Sequence, residues 1–143
     1  TLPIFVGALS FCIDAAVAAV GGADALTVGD VLLYNVPYGS GAHAQDAAII
    51  QPVFDGSRRL IGYAVTKAHW GDIGGKSAYA TDTTDVYQEG VCFPGVRLYR
   101  AGEIVQDTLR IILANSRMPA APSRPSAAST TALGRRHRFP PSI

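Results

Sequence analysis

A chain of 143 residues, 48% apolar and 16% charged, has the composition of one globular domain able to bury a core. Its net charge of +1 hides an asymmetry: residues 1–107 hold all 11 acidic side chains and half of the 12 basic ones, for a sum of −5, while residues 108–143 add six arginines and no acid. The body is therefore no basic nucleic-acid binder, and no stretch reaches the ~20 apolar residues of a membrane span, the most apolar run (residues 8–20) being interrupted by Asp14.

Residues 8–20 are alanine-rich and stopped by Gly21-Gly22, which predicts a helix. Gly29-Asp30 then introduces Val31-Leu32-Leu33-Tyr34, a run that reads as a buried strand. Asn35-Val36-Pro37-Tyr38-Gly39-Ser40-Gly41 must be a loop. Strands are expected at 49–54 and 60–66, joined through Asp55-Gly56-Ser57 as a hairpin. Residues 76–90 read as a polar loop and 96–100 as a short strand. The clearest helix is 103–116, where Val105, Leu109, Ile112 and Leu113 repeat at helical spacing. Cys12 and Cys92 have neither metal-ligand nor redox spacing and read as buried free thiols. With Thr1 first and no charged segment leading into an apolar one, a cytoplasmic protein and a piece of a longer chain are expected.

The chemistry concentrates in a spacing that occurs twice, His43-x-x-Asp46 and His69-x-x-Asp72. Imidazole and carboxylate are the usual donors for a borderline or hard divalent ion. If 49–54 and 60–66 pair antiparallel, Asp46 and His69 fall at the same end of the hairpin. Gly39, Gly41, Gly74 and Gly75 would leave room for an ion and substrate to approach. Asp72 and Glu89 are candidate acid–base carboxylates, each with a competing reading as a turn carboxylate ahead of glycine. Asn35 reads either as a substrate-positioning amide or as a turn former.

The ordered blocks around these residues also carry a resemblance. The run Gly29-Asp30-Val31, Asn35-Val36-Pro37-Tyr38-Gly39-Ser40-Gly41-Ala42-His43-Ala44-Gln45-Asp46 resembles a signature of the hydantoinase B/oxoprolinase family. Pro52-Val53-Phe54, Ala68-His69-Trp70-Gly71-Asp72-Ile73-Gly74-Gly75, Tyr87-Gln88-Glu89-Gly90 and Leu113-Ala114-Asn115-Ser116-Arg117-Met118-Pro119 are similar to its later blocks, in order. The resemblance implies a B-type subunit of an ATP-dependent enzyme that opens cyclic amides such as hydantoins or 5-oxoproline. A related branch carboxylates ketones such as acetone or acetophenone. It implies a hydantoinase A-like partner subunit or domain that uses the ATP. It also implies a divalent metal, manganese or else zinc or magnesium, on His43, Asp46 and His69. Val36, Trp70 and Phe5 stand where the family carries an Asp and two His, which bears on the substrate.

The fold expected is α+β: a mixed sheet with hairpin strands flanked by helices, part of a larger domain over residues 1–119. From Ala120 the text turns to Ala, Pro, Ser, Thr and Arg without apolar period, so residues 120–143 are expected to be a disordered or frameshifted tail. Its arginines lack interleaved aromatics beyond Phe139, so nucleic acid is not expected as a partner, and no membrane partner is expected either. The intact enzyme and an inactive remnant remain alternative states of this chain.

Overall fold

The computed structural model describes residues 3–38, 43–79 and 81–117. Gly39, Gly41 and the tail expected to be disordered lie outside these described residues. Five strands form one sheet in the order β3-β2-β1-β4-β5. They are β1 (Val31–Tyr34), β2 (Asp46–Phe54), β3 (Leu60–His69), β4 (Pro94–Arg100) and β5 (Glu103–Ile104). Helix α1 (Leu9–Ala19) precedes all of them and α2 (Gln106–Ala114) follows all of them.

The α+β class is as expected, but the sheet is antiparallel in every pairing rather than mixed. The chain order explains this. Parallel neighbours need a crossover connection, usually a helix between two strands, and here both helices lie outside the run of strands.

Strand β1 is buried at all four positions because both of its faces are covered. Leu32 and Tyr34 point to one face and pack with Cys12 and Ala16 of α1 and with Ala48 and Ile50 of β2. Leu33 points to the other, against Ala47 and Phe93, with Val96, Leu98 and Ile112 of α2 packed around them. Leu32, Leu33 and Ile50 are fully buried, each worth roughly 1.5–3 kcal/mol of apolar transfer. The two thiols are free, Cys12 fully buried and Cys92 half-buried.

Several boundaries differ from the sequence reading. Strand β2 begins at Asp46 and β3 extends to His69, because Asp46-Ala47-Ala48 pair with His69-Ala68-Lys67. Ala47 and Ala48, consecutive and both buried, show no alternation, which hides the start of β2 from a period-2 search. Residues 103–104 form β5 instead of a first helical turn, folded back on Tyr99 and Arg100 through Ala101 and Gly102. Both turn residues have positive φ, 51° and 88°, the geometry that matches the twist of a tight hairpin. In α2 the docked face includes Thr108, whose hydroxyl donates to Arg97 O at 2.9 Å, while Leu113 of the expected stripe is exposed. No helix among the described residues is long and apolar enough to cross a membrane.

Candidate functional site

Asp46 opens β2, His69 closes β3, and the register sets them directly opposite one another. Asp46 Oδ1 lies 2.8 Å from His69 Nδ1. Its second oxygen accepts the His43 amide at 2.9 Å, and the Asp46 amide donates back to His43 O at 3.0 Å. The first H-x-x-D spacing is thus a closed turn whose carboxylate reaches across to the next strand. The Asp46 carboxylate is 4% exposed and the His69 ring 28%.

His43 stands at the rim with its side chain 67% exposed, and its Nδ1 lies 3.0 Å from Glu89 Oε1. Glu89 Oε2 accepts the Ala44 amide at 2.8 Å, and the Thr83 hydroxyl approaches Oε1 at 3.4 Å. Burial pushes the Glu89 carboxyl up, and the hydrogen bonds from His43 and Ala44 outweigh it, leaving the group below the usual glutamate range. The bond to Glu89 raises His43 above the ordinary histidine value, with burial opposing. Glu89 is therefore an ionised acceptor and His43 Nδ1–H the donor.

The two imidazoles meet edge to face with centroids 6.5 Å apart, and Tyr79 packs edge-on against His69 at 5.0 Å. Together with Gln45, Thr81 and Thr83 these three rings line an open cavity of about 310 Å³. Tyr79 holds φ at 54°, a conformation that costs a bulky residue energy and recurs at functional sites. Its amide is tied to Gly71 O at 2.8 Å. Neither Tyr79 nor Thr83 carries a periodic or motif signal, since both reach the site through an irregular loop.

The remaining two candidates serve the chain's own backbone. Asn35 is buried, donates from Nδ2 to Ala44 O at 2.6 Å and Val91 O at 2.8 Å, and accepts the Phe93 amide on Oδ1. It ties the segment beside His43 to the segment beside Glu89. Asp72 accepts the Arg117 amide at 2.5 Å, Arg117 Nη1 at 2.6 Å and the Gly74 amide at 3.2 Å. Arg117 holds its carboxyl below the usual range, chiefly through that amide.

The donor set of His43, Asp46 and His69 suits a divalent ion chemically: two imidazoles and a carboxylate, each ring anchored at Nδ1 by a carboxylate. Among the described residues, no three His, Cys, Asp or Glu side chains converge into a complete metal cluster. The donors stand as two pairs, Asp46–His69 and His43–Glu89.

The sequence matches the profile of the hydantoinase B/oxoprolinase family over residues 1–136. It is 34% identical over 96 residues to the beta subunit of the caprolactamase of Pseudomonas jessenii, covering 66% of this chain and 16% of that one. It is 33% identical over 110 residues to the 5-oxoprolinase of Saccharomyces cerevisiae, covering 76% of this chain and 8% of the yeast protein. The fold is similar to the crystal structure of the ATP-dependent caprolactamase of Pseudomonas jessenii, with a TM-score of 0.71 and 29% identity. That match covers 91% of this chain and 22% of the caprolactamase chain. An acetone carboxylase structure shares the fold at a TM-score of 0.64 and 20% identity, over 78% of this chain and 14% of that one. The chain thus spans about a sixth of the length of the curated caprolactamase polypeptide it matches.

Proposed function

The chain belongs to the hydantoinase B/oxoprolinase family, and from that premise we propose that it contributes a metal-assisted site to an ATP-dependent cyclic-amide hydrolase. The observation that carries this reading is the pair of imidazoles facing one cavity, each fixed at Nδ1 by a carboxylate that is itself mostly buried. His43, Asp46 and His69 would hold the ion, manganese or else zinc or magnesium. When bound, such an ion supplies Lewis acidity toward a carbonyl or phosphoryl oxygen.

The chain's own residues set the geometry. Asp46 fixes the His69 ring and, through the His43 amide, the turn that carries the second ring. Tyr79 forms an aromatic wall beside His69, suited to the flat, partly apolar body of a small cyclic amide. We assign Asn35 to bracing the two loops and Asp72 to anchoring the Asp72-Ile73-Gly74-Gly75 segment, rather than to contact with substrate. ATP chemistry is assigned to a hydantoinase A-like partner subunit. The caprolactamase, named as ATP-dependent, supports the class of reaction.

Calorimetric titration of the chain with Mn²⁺ tests the site. Wild-type protein is expected to bind one ion, and His43→Ala, Asp46→Ala and His69→Ala to bind it at least tenfold more weakly. Equal affinity in all four proteins would sink the ligand assignment. Ring opening of a hydantoin or lactam, assayed with ATP and a hydantoinase A-like protein, tests the reaction. Turnover that does not change when this chain is left out would rule out the catalytic reading.

A further inference from the structure

Residues 73–76 and 88–91 approach each other more closely than side chains would permit. The Lys76 amide donates to Gln88 O at 2.6 Å and the Val91 amide to Ile73 O at 2.9 Å, with Gly74 and Gly90 bridged between them. A Cβ on Gly75 would lie 2.5 Å from Glu89 O, and one on Gly90 would lie 2.6 Å from Ile73 O. Both contacts are with backbone, which cannot swing aside. Gly90 also has φ of +135°, a region closed to most side chains.

The far side of this contact is pinned as well. Arg117, just beyond α2, donates its amide and Nη1 to Asp72 and its Nη2 to Gly75 O. On the near side, Asp85 caps a 3-10 turn over Val86–Gln88, accepting the Tyr87 and Gln88 amides at 2.9 Å and 3.1 Å. Glu89 is the residue delivered by that turn. Its two oxygens grip two adjacent points of the opposite loop, the His43 ring and the Ala44 amide.

We infer that Glu89 is a positioning residue for His43, and that the close contact of residues 73–76 with residues 88–91, pinned by Asp72 and Arg117, is the frame that aims it. The inference rests on the reading of His43 as a metal ligand. An acceptor at Nδ1 fixes which nitrogen carries the proton and presents Nε2 outward. A bidentate carboxylate does this with no freedom to rotate away, since Ala44 holds its other oxygen. The Asp-Ile-Gly-Gly and Gln-Glu-Gly blocks are then two halves of one device, the glycines being required by backbone proximity and the glutamate by the ring.

The test uses the 143-residue chain and two readouts: the His43 tautomer from long-range ¹⁵N–¹H spectra, and Mn²⁺ affinity. Glu89→Ala removes both acceptor oxygens, the one facing Nδ1 and the one holding the Ala44 amide. The expected result is loss of the Nδ1–H form of His43 and a 10–100-fold drop in Mn²⁺ affinity. Gly90→Ala keeps the glutamate in the chain and is expected to show the same two changes. Should it fail to fold, Arg117→Gln, at a half-exposed position, is expected to weaken Mn²⁺ binding two- to tenfold and to mix the tautomers.

An unchanged tautomer in Glu89→Ala overturns the positioning role. Wild-type behaviour in the folded frame variant overturns the frame. If wild-type chain binds no Mn²⁺, the ligand reading of His43 fails, and the tautomer in Glu89→Ala alone decides whether Glu89 orients the ring.

Discussion

Asp46 and His69 face each other across β2 and β3, and the carboxylate that orients the imidazole also closes the turn carrying His43. One side chain therefore couples both candidate rings. Asp46→Asn can offer only one acceptor oxygen to these two donors. It is expected to destabilise the fold by about 1–3 kcal/mol, the cost of leaving one buried donor without its partner. Urea unfolding followed by circular dichroism measures it. An unfolding midpoint equal to wild type would show that the turn does not need the carboxylate.

Asn35 makes three hydrogen bonds to backbone from a buried position. Asn35→Asp keeps the size but cannot donate to Ala44 O and Val91 O. We expect it to be at least as damaging as Asn35→Ala, which should cost about 2–4 kcal/mol from several unpaired groups. If Asn35 instead contacted substrate, both variants would unfold like wild type and lose only binding.

The strand cores and the hairpin were readable because Val31-Leu32-Leu33-Tyr34 and residues 60–66 carry dense apolar or β-branched runs. The convergence of Asp46 and His69 followed from that hairpin. The long-range hydrogen bonds of Asn35 and Asp72 were not readable, because a buried amide that bonds three backbone groups and a carboxylate that bonds Arg117 leave no periodic trace. Both look in sequence like loop polar residues near glycine. Asp30 is another case: it is buried and accepts from Thr27 N, Arg97 Nε and Ala101 N. Contacts 45 to 71 residues apart in sequence depend on the finished sheet, and no local pattern encodes them.

The Asp72–Arg117 pair predicts a pH dependence. The Asp72 carboxyl is lowered from its ordinary 3.8, first by the Arg117 amide, with burial opposing. A lowered folded value means that its stabilisation is complete above 3.8 and disappears as pH falls through the lowered value. Asp72→Asn is expected to lose about 1–2 kcal/mol near neutral pH, a modest figure because Arg117 is half exposed. The gap to wild type should close in acid. A gap that is constant with pH in urea melts would mean that the charge contributes nothing.

Thiol chemistry gives a rapid check of the packing. Cys12 is fully buried on the core-facing side of α1, and burial, aided by the nearby Glu89 charge, pushes the Cys92 thiol up. Neither should react quickly with an aromatic disulfide reagent at neutral pH. Both should react at once in denaturant. A fast single-thiol phase in the native chain would contradict the placement of one of them.

Strand β3 stands at the border of the sheet among the described residues, and His69 is its last residue. The edge of the sheet among the described residues and the His69 imidazole therefore share a boundary. Any strand that lengthens the sheet there, whether from the same polypeptide or another, lays its side chains alongside the cavity mouth. The composition of such a neighbour would decide what the two histidines meet.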